Sequence, residues 1–433
     1  MFLTLGQYFE LFVILVALVL TAVFLKNIGR IVQIAGIVTI TVANLIINII
    51  FGLVAGRRRH RRHKKRLNDF NNNAPNGSTI EDIPEEQEVK NQETDEMSTL
   101  EWLSSYIINV ITTAWECMVL LVLSAYYVTE TLILSVTPTA FRSQKSLKHK
   151  VVVITGGAGG VGQELAVRLA TIKAKVVIWD VNEKAIENAQ ERFKKENLQI
   201  YSYVVDVTNK KSVEKTADVV KYEVGPVDVL INNAGIVSGN TFMDLPDDMI
   251  EKTFKVNVIS HYWTIKAFLK DMIHRGKGHI VTVGSLTGLL GTYKCCDYSA
   301  TKFATVGLHE SLLTELKTHG HDNIHMTLVC PYFINTGMFD GCKPKNMAML
   351  QPKDVAKRIV TAIRLEEVFV TIPSFARFAL PLKHYIPAKL AWAMMFRLIQ
   401  GPQAMMGMKS HQEEFTHEIV QKESNGGTDY LQF

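Results

Sequence analysis

The run TGGAGGVG at residues 155–162 follows directly on the β-branched run VVVI at 151–154 and leads directly into the helix-forming run QELAVRLATI at 163–172. A strand that passes through a glycine turn into a helix leaves free backbone N–H groups and the positive end of the helix dipole at the turn, which suits a pyrophosphate. Gly156, Gly160 and Gly162 are where the chain must turn tightly or approach the anion closely, and Val161 presents its backbone between the last two. The next strand-like run, KVVIWD, ends at Asp180, 18 residues beyond Gly162. That is close to the spacing of ~20 residues expected of an acid that hydrogen-bonds an adenosine ribose. A carboxylate there repels a 2′-phosphate, so NAD rather than NADP is the expected cofactor.

The same alternation continues outward to about residue 372. The runs VVVIT, KVVIWD, YSYVVDV, VDVLINNAG, HIVTVGS, HMTLVCP and VFVTI are separated by helix-like stretches. Near-continuous apolar strands that alternate with helices predict an α/β fold, a doubly wound parallel sheet of the Rossmann type covered on both faces. In YSATK, Tyr298 and Lys302 lie four apart on a helical pattern that continues through FATVGLHESLLTELK, so they share one face. An ammonium beside the phenol is expected to favour phenolate and move the tyrosine from ~10 toward neutrality, where it can serve as an acid or base.

These features stand in the order found in the short-chain dehydrogenase/reductase family, which the chain resembles over about 148–372. The glycine turn, Asp206 after the third strand, NNAG at 232–235, Asn257 in KVNV, Ser285 in TVGS and YSATK at 298–302 carry the resemblance, with Ser285 13 residues before Tyr298. The resemblance implies a catalytic tetrad of Asn257, Ser285, Tyr298 and Lys302. In it Tyr298 takes the hydroxyl proton of an alcohol, Ser285 bonds the oxygen, Lys302 holds the ribose and tunes Tyr298, and Asn257 organises a water-linked proton exit. It further implies that Asp206 contacts the adenine, that Asn233, Ala234 and Gly235 floor the cofactor site, and that Pro331 and Thr336 border the nicotinamide. One position departs from the family: its usual Pro-Gly after the sixth strand is Pro331 and Tyr332 here, so Tyr332 is expected to shape the substrate side.

Within the family, WDVN at 179–182, CPYFINTGMFDGC at 330–342 and the apolar regions at both ends resemble the membrane-bound retinol and 17-beta-hydroxysteroid dehydrogenases. This implies an NAD-dependent oxidation of a lipophilic alcohol such as retinol, with hydroxysteroids and long-chain alcohols as alternatives, and possession of a homodimer interface as a further expectation. A non-catalytic membrane or lipid-droplet scaffold is the reading from another class, and the four intact tetrad positions speak against it.

Composition sets the outer limits. A chain of 433 residues with 47% hydrophobic residues and a mean hydropathy of +0.10 is too apolar to be disordered throughout and is long enough for two or three domains. The formal charge of +5 comes from one place: RRRHRRHKKR at 57–66 holds eight of the 47 cations, and the rest of the chain is slightly acidic. Cations gathered in one linear run do not make a nucleic-acid face. Five scattered cysteines, with no zinc spacing, predict reduced thiols in a cytosol-facing protein and no metal site. His319, His321 and His325 are read as a solvated loop, and Cys295 and Cys296 as small buried thiols.

Two apolar segments within residues 1–56 are read as membrane segments rather than a cleaved signal, because no basic region precedes them and Glu10 interrupts. The basic run then belongs in the cytosol, against anionic headgroups, and the rest of 57–101 is read as a disordered acidic linker. Residues 102–138 form a membrane anchor interrupted by Glu116 and Glu130. Basic residues on both flanks favour an in-plane or re-entrant segment, with the catalytic domain facing the cytosol at the endoplasmic reticulum membrane or a lipid droplet; a true span is the rival. Residues 373–408, apolar but dotted with Arg377, Lys383, Lys389 and Arg397, are expected to lie on the membrane or cover an apolar pocket, before a polar tail at 409–433.

Overall fold

The computed structural model describes residues 85–137, 142–345 and 347–410. The two apolar segments within 1–56, the basic run and the tail from 411 lie outside the described residues. The chain divides into two units, Met1–Arg142 and Ser143–Phe433.

Among the described residues of the first unit a helix, α1, runs over Glu85–Val136. Its first turns occupy the acidic stretch expected to be disordered, and that expectation is corrected for 85–101. EEQEVKNQETDE is made largely of good helix formers, and acidic side chains near a helix N-terminus are favoured by its dipole. The helix is unbroken through 102–136. The stretch Asn109–Thr131 is long and apolar enough to cross a membrane, and the consecutive Leu120, Leu121, Val122 and Leu123 are all exposed, so its apolar surface runs round the whole helix.

In the second unit all seven predicted strands form one parallel sheet in the order β3-β2-β1-β4-β5-β6-β7. They are β1 Val151–Thr155, β2 Lys175–Asp180, β3 Ile200–Val204, β4 Val229–Asn232, β5 Gly278–Val283, β6 Ile324–Pro331 and β7 Phe369–Ile372. Helices α2 (Gly160–Thr171), α3 (Glu183–Lys195) and α8 (Pro352–Leu365) cover one face; α4 (Lys210–Glu223), α6 (Ser260–His274) and α7 (Cys296–Thr318) cover the other. Residues i and i+1 of each strand feed opposite cores. Val152, Ile154 and Ile178 pack with Leu165 and Ile359 on one side, while Val153, Leu230 and Ile280 pack with Phe268 and Met272 on the other. With β1 central, the strand order reverses between β1 and β4, and the crevice at their carboxyl ends is where such sheets bind ligands.

Helix α5 (Asp247–Phe254) continues into α6 through a π-helical turn, Lys255–Ile259, which contains Asn257. Single π turns inside α-helices are frequent at functional sites because the inserted residue re-aims its side chain. After β7 come short helices, α9 (Ala376–Ala379), α10 (Ala388–Ala393) and α11 (Gly401–Met405). The stretch expected to be a single amphipathic segment divides in two. Phe375, Phe378, Tyr385, Trp392 and Leu398 are exposed, whereas Met405 and Met408 are buried.

Candidate active site

The glycine turn has the form an anion needs. Gly156 and Gly160 have positive φ, at 60° and 51°, and a Cβ on Gly162 would stand 2.0 Å from Gly156 O. Gly159, the N-cap of α2, has no side-chain cap and open space where a Cβ would point, so the helix's first N–H groups face outward. The loop is held from both neighbouring strands. Asp180 Oδ2 accepts from Ala158 N at 3.1 Å, while Asn233 Nδ2 donates to Thr155 O and Gly156 O, both at 3.0 Å. Thr155 Oγ1 receives the backbone N–H of Asn233 and of Ala234 at 3.0 and 3.1 Å. The cradle that a Cβ would fill, the uncapped helix start and the acid on the next strand fit a dinucleotide of the NAD type.

The other cofactor candidates take different places. Val161 is buried and offers only backbone to the turn. Asp206 follows Val205, whose N–H donates to Asp180 O at 2.8 Å, so it lies beside Asp180; its own Oδ1 accepts from Thr208 N and Thr208 Oγ1. Gly235 lies against Asn257 Oδ1 and Lys302 Nζ, 3.3 and 3.6 Å from where its Cβ would be. Thr336 stands over Gly160, and Pro331 closes β6 at its pairing with Ile372.

The four residues expected to form the tetrad, Asn257, Ser285, Tyr298 and Lys302, are all buried and converge on this crevice. Lys302 Nζ lies 5.5 Å from the centroid of the Tyr298 ring and donates to Val283 O at 3.0 Å. Ser285, just past β5, is hydrogen-bonded to the phenol and accepts from Thr287 N at 3.1 Å. Asn257 Oδ1 accepts from Ile236 N at 2.8 Å, and its Nδ2 donates to Ile236 O and to Thr301 Oγ1. Asp297 braces the first turn of α7, accepting from Ser238 Oγ and Thr253 Oγ1, both at 3.0 Å.

The expected downward shift of the Tyr298 phenol toward neutrality is corrected. Burial pushes the Tyr298 phenol up, the Ser285 hydrogen bond opposes this, and burial of Lys302 brings its ammonium down to about 8. Desolvation of an almost fully buried phenol outweighs a cation lying over its ring.

An apolar cluster surrounds the phenol: Val237, Cys295, Phe339, Cys342, Met405 and Met408. The Phe339 ring meets the Tyr298 ring edge-on at 5.9 Å, Phe333 meets Phe339 at 5.2 Å, and Tyr332 meets Phe333 at 4.8 Å. Tyr332 is thus two rings removed from the phenol and props up the wall. The segment carrying Met405 and Met408 is fastened down by Lys343 N donating to Ala404 O, Lys409 N to Asp340 O and Lys294 Nζ to Met408 O, at 2.8, 3.0 and 2.9 Å. The sequence pointed to 373–408 as a cover for an apolar pocket but did not single out Phe339, Met405 and Met408, because which apolar residue of a segment turns inward is a tertiary fact.

Two minor expectations are also corrected. His325 is on β6, not in a solvated loop, and its Nε2 lies 3.1 Å from Glu366 Oε1. Of the two thiols beside Tyr298, Cys295 is buried and Cys296 exposed. Among the described residues no cluster of ligating side chains could hold a metal.

Known proteins share these features. The short chain dehydrogenase family profile matches residues 150–346. The chain is 41% identical over 273 residues to short-chain dehydrogenase/reductase family 16C member 6 of Bos taurus, covering 62% of this chain and 85% of that protein. It is 38% identical over 270 residues to epidermal retinol dehydrogenase 2 of Homo sapiens, covering 61% and 86%. Retinol dehydrogenase 10 of Bos taurus matches at 35% over 304 residues, covering 63% and 89%. Among solved structures, a short chain dehydrogenase/reductase from Burkholderia phymatum in complex with NAD superposes with a TM-score of 0.52 at 26% identity, over 56% of this chain and 95% of that one. With the glycine turn, the NNAG clip and the tyrosine–lysine pair set around one crevice, the chain belongs to the short-chain dehydrogenase/reductase family.

Proposed function

We propose that the protein is an NAD-dependent oxidoreductase that oxidises a lipophilic alcohol, retinol first among the candidates, at a membrane. The observation that carries this reading is the position of Tyr298: one side of the site is a polar, glycine-lined crevice, the other a wall of Phe339, Met405 and Met408. A polyene or sterol would find dispersion contacts and no unpaired polar group on that wall. The similarity to retinol dehydrogenases adds to it.

NAD, when bound, supplies the hydride acceptor. Gly156, Gly160 and the start of α2 would hold its pyrophosphate and Asp180 its ribose, while Asp206, Asn233 to Gly235, Pro331 and Thr336 would border the rest. Ser285 orients the alcohol oxygen, and Tyr298 Oη takes the hydroxyl proton. Because burial raises the phenol, the groups placed to help it give up its own proton beforehand are the Ser285 hydroxyl and the Lys302 ammonium. Oxidation should therefore speed up as pH rises, and the reverse reduction should slow.

We place the enzyme at the endoplasmic reticulum membrane or a lipid-droplet surface with its catalytic unit toward the cytosol, by the charge rule that keeps basic flanks there. Protection of the catalytic unit from added protease in intact microsomes would overturn the orientation. Membranes carrying wild-type protein or Tyr298→Phe, supplied with NAD or NADP and with retinol, a hydroxysteroid or a long-chain alcohol, test the activity. Turnover with NAD and retinol is expected for wild type, with a loss of about 10³-fold in the variant. Equal rates for the two proteins would sink the assignment of the base.

A further inference from the structure

The end of the sheet away from the crevice holds a second concentration of charge. There the amino ends of β1, β4, β5 and β6 surround a cavity of about 280 Å³, lined among others by Lys145, Lys150, Asp228, Lys277, His279, His325 and Glu366. That volume lies just below the ~300 Å³ at which pockets for small molecules begin.

Part of this charge braces the fold. Asp228 accepts from Val151 N at 3.1 Å and stands 3.3 Å from Arg275 Nη1, tying the start of β1 to the end of α6. Glu366 Oε1 stands 3.1 Å from His325 Nε2 and 3.3 Å from Lys145 Nζ. The Lys145 ammonium also donates to His279 Nδ1 at 2.7 Å, which places the imidazole hydrogen on Nε2. From there it goes to Thr327 Oγ1 at 2.8 Å, and that hydroxyl donates in turn to Glu367 O at 2.6 Å. The chain fixes the Lys145 ammonium with one of its three N–H groups unspent.

The bracing leaves two further cations unexplained. Lys150 Nζ is 3.8 Å from Asp228, a carboxylate already engaged by Arg275 and Val151 N. The Lys277 ammonium, on the turn before β5, has no partner among the described residues. Three lysines thus face two carboxylates across the cavity. Burial, and after it the Lys145 charge, takes both histidines down, so neither is charged at neutral pH. Burial also takes Lys145 down, and Lys150 adds to the effect. The cavity is short of negative charge.

We propose that this cavity binds the phosphate group of a phosphate ester, held by Lys145, Lys150 and Lys277. A tetrahedral dianion supplies both the missing charge and acceptor oxygens for ammonium groups that arrive from the segment before β1 and the turn before β5. Two sources share this chemistry, a phospholipid headgroup and a soluble phosphate ester. The first is relevant because Lys145 comes nine positions after α1 ends at Val136, and basic residues that follow an apolar segment meet anionic headgroups. The site lies at the opposite ends of the strands from Tyr298, so its occupation does not depend on the alcohol reaction.

The test uses the full chain in phosphatidylcholine nanodiscs, with NAD added to fill the glycine turn. It is melted with and without inorganic phosphate, and again in nanodiscs that contain phosphatidylinositol 4-phosphate. An anion at about a hundred times its Kd should raise Tm by several degrees. At least one probe is expected to do so, and which one does names the source. In the double variant Lys150→Gln, Lys277→Gln, which keeps polar side chains and removes their charge, the rise should vanish. Lysine acylation followed by mass spectrometry needs no variant. The anion should slow labelling of Lys150 and Lys277 about tenfold and leave Lys195, 80% exposed on α3, unchanged. A rise of equal size in the double variant, no rise with either probe, or labelling that the anion does not alter overturns the proposal.

Discussion

The two sides of the Tyr298 crevice are built in opposite ways. The proposed cofactor side draws on short stretches, 155–162, 180, 206, 233–235, 331 and 336, and its glycine turn is held by hydrogen bonds to backbone atoms: Ala158 N to Asp180, and Asn233 to Thr155 O and Gly156 O. The proposed substrate side gathers Val237, Cys295, Phe339, Met405 and Met408 from distant parts of the chain, and what faces the phenol there is apolar packing, its last segment fastened by bonds such as Lys343 N to Ala404 O. A backbone-defined site admits few residue types at each position. A volume-defined wall admits many, with methionine and phenylalanine filling irregular space around a variable ligand.

The comparison breaks most readily at Gly162→Ala. The added methyl would sit 2.0 Å from Gly156 O, so the turn must open. The Kd for NAD, read by calorimetry, should rise about 100-fold or more, a cost of ~3 kcal/mol, with the alcohol-side wall intact. An unchanged Kd would show that the loop's shape is not what binds.

Lys302→Met comes next and separates stability from activity. The folded-state value of about 8 lies below the ordinary 10.5, so at pH 7 the fold carries the cost of a buried ammonium. Between about 8 and 10.5 the unfolded chain keeps a proton that the folded chain has shed, so this group's contribution to stability rises with pH across that window. The variant should be inactive yet melt several degrees higher at pH 7, an advantage on the order of a few kcal/mol that shrinks toward pH 10. A lower Tm at pH 7 would mean that its bond to Val283 O outweighs the burial.

Phe339→Ala sharpens the other half. Truncating the ring that meets Tyr298 should raise KM for retinol about tenfold and leave the Kd for NAD unchanged, with the exposed thiol Cys296 unaffected as a labelling control. A matching rise in both constants would join the two sides into one unit. The smallest effect belongs to Asn182→Ala. It removes the cap that accepts from Ala185 N at 3.0 Å and should cost ~1 kcal/mol in chemical denaturation, with kcat unchanged.

The same contrast explains what could be read from residues alone. All seven strands, the glycine turn, Asp180 and the tyrosine–lysine face were legible, because period, glycine placement and i, i+4 spacing are local properties. The raised phenol was not. The spacing of Tyr298 and Lys302 shows that a cation is near, but the opposing burial comes from Cys295, Phe339 and Met405, whose approach is a tertiary fact. The strand run HMTLVCP already begins at His325, so its place on β6 was legible; its partner Glu366, 41 positions away on the loop before β7, was not. The acidic stretch at 85–101 was misread because a polar composition can also suit a helix continuous with an apolar one.

Asp180 also bears on any attempt to exchange one coenzyme for another. One oxygen of its carboxylate accepts from Ala158 N and the other from Asn182 N, so the acid that would discriminate between the two nucleotides is also a strut of the phosphate loop and of the turn into the following helix. Replacing it with a small or basic residue to welcome a 2′-phosphate would slacken the scaffold in the same stroke. Selectivity here is welded to architecture, and a successful swap would have to rebuild the strut from a neighbouring position before it altered the preference.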